Sequence, residues 1–186
     1  MLGPTALMAQ ASSFSLQTVP VLTIVPDRLY SDTLFGQRLS KEIAERSRRL
    51  QAENRRIEKE LEEEETKLTG LRDTFGSEEF RDLANSFDEK VTHARTEQAE
   101  KARVLAQLSD QVQRAFVAAI APILEGLMSE KGASVVLDRR AVFASADASD
   151  VTQEAISGID AALGEGRSIE ELIKQIAPSV EPEPEQ

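Results

Sequence analysis

The chain has no cysteine, which excludes disulfides, thiolate nucleophiles and zinc–thiolate sites. Tryptophan is also absent, and tyrosine and histidine occur once each. The single histidine, His93, has no second ligand at metal spacing, so it is assigned no metal chemistry. There is no glycine-rich phosphate loop and no nucleophile elbow. Carboxylates abound, but on solvated helix faces nothing raises a pKa for acid–base work. The expectation is therefore no enzyme, no catalytic residue, no cofactor and no metal. A net charge of -11 works against nucleic-acid binding, which needs clustered Lys and Arg on phosphates. No stretch approaches the ~20 apolar residues of a membrane span. With 30% charged residues and 4% aromatic, one thick globular core is excluded, so helix seams and self-association must supply stability.

Glycine and proline are missing where it matters most. Neither occurs between Gln37 and Thr69, nor between Ser77 and Ala121. Glycine costs a helix interior about 1 kcal/mol and proline about 3 kcal/mol, so two very long helices are allowed. Apolar residues recur at Leu39, Ile43, Leu50, Ile57, Leu61, Leu68, Leu71 and Phe75, then at Phe80, Leu83, Phe87, Val91, Ala94, Leu105, Leu108, Val112, Phe116, Ile120, Ile123 and Leu127. Gaps of three, four or seven place them on one narrow stripe of each helix. Each stripe needs a partner, and the other helix is nearest. The spacing predicts an antiparallel hairpin over residues 32–131 with its tip near Gly76. Gly76 is expected to close the first helix in a left-handed conformation, with Ser77 as N-cap of the second. Pro122 is expected to kink the second arm.

Charge follows the arms. Glu42–Arg46, Glu45–Arg49 and Glu63–Lys67 stand four apart in the favourable order. The run Glu62 to Glu65 reads as a solvated face, because four successive residues point around the whole helix. From Glu60 to Lys90 there are eleven acids and four bases, so the tip is negative. Phe75, Phe80 and Phe87 gather there, either as an aromatic plug or as a contact point for an apolar partner.

The flanks are different in kind. Ala9-Gln10-Ala11 has the small-x-small pattern of a signal-peptidase site, so residues 1–11 read as a signal-peptide remnant. Residues 12–31 carry a first strand, Val21 to Val25, expected to be buried on both faces. Leu29, Tyr30, Leu34 and Phe35 are expected to pack the hairpin base. Residues 132–163 carry a second strand, Ser134 to Leu137, and a short third, Ala141 to Ala144. A helix follows to Leu163, capped by Asp150 with Gln153 and carrying Ala155, Ile156 and Ile159 on one face. Residues 164–186 form an acidic extension with a short helix, Ile169 to Ile176, and a disordered end from Pro178. The fold class is α+β, mainly α, with a helical hairpin projecting from a small β body.

Strand, long hairpin, strand and short helix in that order resemble the Skp (OmpH-like) periplasmic chaperone family. The carrying stretches are Val21-Leu22-Thr23-Ile24-Val25 with Leu29-Tyr30, then Ser134-Val135-Val136-Leu137-Asp138, then Val142 and Asp150-Val151-Thr152, covering residues 20–163. The resemblance implies a homotrimer whose body strands (Val21, Leu22, Ile24, Val25, Val135, Val136, Leu137) associate. It implies an ATP-independent periplasmic holdase that keeps unfolded outer membrane β-barrel proteins between three hairpins. Tip position and apolarity nominate Phe75, Phe80, Leu83 and Phe87 as client contacts. The best-known members are basic with positive tips. This chain is acidic, which argues against lipopolysaccharide or anionic-membrane contact and against electrostatic capture of acidic clients. The alternative reading is a structural coiled-coil adaptor that docks a partner along its arms.

Overall fold

A computed structural model describes residues 19–72 and 74–176. The signal-peptide expectation at 1–11 and the end from Pro178 lie outside the described residues. Strand β1 (Val21–Ile24) runs into helix α1 (Pro26–Asp32), and helices α2 (Leu34–Gly70) and α3 (Ser77–Lys131) form the hairpin. Strand β2 (Val135–Asp138), helix α4 (Thr152–Leu163) and helix α5 (Ile169–Ile176) complete the chain.

β1 and β2 pair in parallel, with Val21 opposite Val135 and Ile24 opposite Asp138. A parallel pair needs a crossover connection, and here that connection is the whole hairpin. At 1.5 Å per residue α2 extends about 55 Å and α3 about 80 Å, so the arms stand well clear of the body. Leu29, Phe35, Leu39, Val112, Phe116, Ile120, Ile156 and Ile159 form the core at the hairpin root. Phe116 meets Tyr30 edge-on at 5.0 Å and Phe35 at 5.5 Å between ring centroids.

The first arm is not one helix from Asp32 to Phe75. Pro26 sits in the first turn of α1, where its missing N–H costs nothing. Thr33 then breaks the chain into an elbow. Its buried hydroxyl donates to the Leu29 carbonyl at 2.7 Å and accepts from Gly36 N–H at 3.2 Å, capping α2. A Cβ on Gly36 would lie 1.9 Å from the Tyr30 carbonyl oxygen, so the elbow closes only around glycine. Leu34, expected at the packed base, is instead 47% exposed, and its N–H donates to Asp160 Oδ1 at 2.8 Å.

Other local expectations are corrected as well. Gly76 is extended (φ -64°, ψ 156°) and is itself the N-cap of α3, while α2 ends at Gly70 without a left-handed residue. Backbone bonds such as Thr74 N–H to the Leu71 carbonyl, 2.9 Å, carry the turn. The third strand is absent: Arg139–Ala141 is a 3₁₀ turn held by Asp138, and Phe143 is fully exposed. Val151 occupies the N-cap position of α4 without a side-chain bond, and the Asp150 carboxylate accepts from Thr152 N–H rather than forming the expected capping box with Gln153. Glu42 pairs with Arg38, Arg46 with Glu170 and Glu63 with Lys59, in place of the pairs read from the sequence. α3 continues helical through Pro122 and closes at left-handed Gly132.

Two glycines should therefore respond oppositely. Gly36→Ala forces Cβ into a backbone carbonyl and is expected to cost about 1–3 kcal/mol. Gly76→Ser places a better cap on α3 and should gain a few tenths of a kcal/mol. Thermal unfolding followed by circular dichroism checks both, and a stable Gly36→Ala protein contradicts the elbow.

Candidate functional site

No cluster of three or more metal-ligating side chains occurs among the described residues. His93 is exposed and stands 3.8 Å from Glu97. What the fold presents instead is surface: the hairpin arms and the outer side of the small sheet.

Along the arms, residues of one helix meet those of the other in antiparallel register. Lys101 Nζ bridges to Glu53 Oε1 at 2.7 Å, and Lys90 pairs with Glu64 nearer the tip. Hydrogen bonding to Lys101 lowers the Glu53 pKa, and hydrogen bonding to Glu53 raises that of Lys101. The tip phenylalanines do not form the plug. Aromatic ring pairs among the described residues lie at the root, around Phe116. Phe80 is half-buried with the Arg72 guanidinium 5.9 Å above its ring. Phe75 and Leu83 are 41% and 40% exposed. Phe87 lies apart, lining a cleft with Leu61 and Val91 between the arms. The four nominated residues are thus spread over the distal arms rather than gathered in one spot.

The sheet is covered fully on one side and only in part on the other. Leu22 and Ile24 turn into the core, and β1 bonds on its far side to residues 150–151, Val151 N–H donating to the Thr23 carbonyl at 2.9 Å. Alternation puts Val21, Thr23, Val135 and Leu137 on the other face, where Thr23 is buried but Val21, Val135 and Leu137 are 48%, 37% and 40% exposed. The expectation of strands buried on both faces is therefore met by Leu22, Thr23 and Ile24 of β1 but not by β2. β2 pairs with β1 alone among the described residues, leaving its outer edge open. Val117 on α3 and Phe143 beyond β2 are exposed too. Against the expectation that no stretch approaches a membrane span, α3 contains a segment apolar enough for one by length and composition alone. Its buried residues, Val112, Ala115, Phe116 and Ile120, pack the body.

The family model for outer membrane protein (OmpH-like) matches residues 21–159. The chain belongs to the OmpH-like family. No curated protein matches it. Among solved structures, a protein proposed to be an outer membrane chaperone (OmpH-like) from Caulobacter crescentus CB15 superposes with TM-score 0.74. Identity is 16%, over 81% of this chain and 89% of the other, so the likeness is one of fold. The expected α+β fold with its long hairpin and small sheet is the one observed.

In this OmpH-like chain α5 lies beyond the matched span yet belongs to the arm root. Ile169 and Leu172 are buried, Arg46 pairs with Glu170, and Arg38 Nη1 donates to the Gly166 carbonyl at 3.1 Å. The signal was legible in Ser168 and Glu171, whose side chains bond reciprocally as a capping box. A second feature escaped sequence reasoning. The Thr152 hydroxyl, 1% exposed with its residue, donates to Asp150 Oδ1 at 2.5 Å and accepts from Val25 N–H at 3.0 Å. Asp150 also accepts from Thr152 N–H at 2.9 Å and pairs with Arg139. The Asp150 carboxyl is held below its ordinary value of 3.8 by the Thr152 hydroxyl first, then by the Thr152 N–H and Arg139. This knot ties the end of β1 to the start of α4 across 127 residues of sequence separation.

A lowered folded pKa means that the stabilisation is complete above the unfolded value and is lost as pH falls through the folded one. The wild-type melting temperature should drop as pH falls below about 4, and Asp150→Asn should flatten part of that drop. Thr152→Val, which keeps the shape and leaves Val25 N–H unpaired, is expected to cost about 1–3 kcal/mol at neutral pH. Thermal melts over pH check both, and an unchanged acid profile in Asp150→Asn contradicts the assignment.

Proposed function

We propose that the protein is a periplasmic, ATP-independent holdase chaperone that binds unfolded outer membrane β-barrel proteins. The observation that carries this reading is a pair of long arms reaching far beyond a small body, with apolar side chains left open along the arms and over the sheet. A monomer seldom leaves so much apolar surface facing water without a partner. Membership of the OmpH-like family supports the same reading.

In this account three copies associate through the outer sheet face, Val21, Val135 and Leu137, and the open edge of β2. An open apolar edge is a template for pairing with another chain. The three hairpins then surround a cavity, and a client meets many weak contacts in place of one tight pocket. Multivalency of this kind gives strong overall holding from individually weak sites. Phe75, Phe80, Leu83 and Phe87 supply apolar contacts along the distal arms. Chemistry plays no part: the chain holds, and release follows when the client finds a more stable state.

Dilution of a urea-unfolded β-barrel protein into buffer should give less turbidity with the chain present, and no suppression in molar excess overturns the reading. Phe80→Ser combined with Phe87→Ser should weaken client binding while circular dichroism keeps its helical signal. Val135→Glu with Leu137→Glu should reduce the mass found by light scattering from a trimer to a monomer. A wild-type monomer removes the cavity.

A further inference from the structure

The acids of the distal arm are not equivalent. In the run Glu62 to Glu65, Glu63 pairs with Lys59 and Glu64 with Lys90 across the seam, and nearby Glu60 pairs with Arg56. Glu58, Glu62, Glu65 and Asp88 have no ion-pair partner among the described residues. All four line one cleft of about 610 Å³ between α2 and α3. Glu58, Glu62 and Glu65, spaced four and three apart, form a single ridge of α2. Leu61, Phe87 and Val91 line the same cleft, and Arg95 is its one base. Gln98, at the body-proximal end, contributes an amide nitrogen that is buried without a hydrogen-bond partner.

We propose that this cleft is a docking site for cationic amphipathic segments, stretches in which Lys or Arg stand next to apolar residues. The occupant follows from complementarity. Apolar side chains cover Leu61, Phe87 and Val91, while ammonium or guanidinium groups meet the unpaired ridge of α2. The ridge from Glu58 to Glu65 spans about 10 Å, which fits three to four residues of extended chain. An acidic segment is repelled by the same ridge. The proposal deepens the chaperone reading and rests on it, because it names which parts of a client the arm takes first.

The test measures binding of two fluorescently labelled peptides to the full chain by anisotropy, one of alternating leucine and lysine, the other of leucine and glutamate. Two triple variants remove the same charge: Glu58→Gln with Glu62→Gln and Glu65→Gln in the cleft, and Glu60→Gln with Glu63→Gln and Glu64→Gln outside it. The leucine–lysine peptide should bind the wild type and weaken as salt rises. The cleft variant should lose about tenfold in affinity, the combined effect of three exposed pairs, and the outer variant no more than about twofold. Equal losses in the two variants, or equal binding of both peptides, overturn the proposal. Aggregation suppression of a β-barrel protein is read alongside with the wild type. Suppression without the difference between variants sinks the cleft and leaves the chaperone reading standing. A cleft-dependent peptide without any suppression sinks the chaperone reading and leaves the cleft a peptide-binding site.

Discussion

Everything in this molecule depends on two four-residue strands lying side by side in parallel. Parallel pairing forbids a tight turn, so the chain must leave the body after β1 and return before β2. It does so as two long helices free of glycine and proline from Gln37 to Thr69 and from Ser77 to Ala121, and the excursion becomes an arm. The body is small, and its hold on the arm is correspondingly specific. Thr33 forms the elbow, Phe116 anchors both helix roots, and the Asp150–Thr152 knot fastens β1 to α4. α5 adds a brace on the same root through Ile169 and the Arg46–Glu170 pair. The same economy leaves Val21, Val135 and Leu137 exposed on the second side of the sheet.

Much of this architecture could be read from the residues. The arms were legible because an apolar stripe of heptad spacing, uninterrupted by glycine or proline, has few other solutions. The two strands were legible as β-branched runs too short for a helix. The elbow at Thr33 was not, because Pro26 to Gly70 is a continuous helix-compatible sequence and only a tertiary contact, Tyr30 against Gly36, shows the break. The reading of Gly76 failed for a related reason. A glycine between two helices permits a left-handed cap, yet the turn was closed by ordinary backbone bonds, so glycine became an N-cap instead. The third strand at Ala141 to Ala144 had the composition but no neighbour to pair with in the single chain.

The candidate surface was legible only in outline. Position and apolarity marked Phe75, Phe80, Leu83 and Phe87, but not that Phe80 sits beneath Arg72 or that Phe87 belongs to a cleft. Ion pairs were the weakest inference. Long charged side chains on a helix have several partners within reach, and contacts from α5 and the opposite arm redistribute them. Sequence alone therefore treated Glu62 to Glu65 as one solvated face, whereas the fold divides it into paired and unpaired carboxylates.

The central claim is that three arms enclose one unfolded client. Native mass spectrometry of the chain mixed with a single urea-unfolded β-barrel protein tests it most directly. The account predicts a species of three chains with one client. Client bound to a lone chain, or to no chain at all, contradicts it.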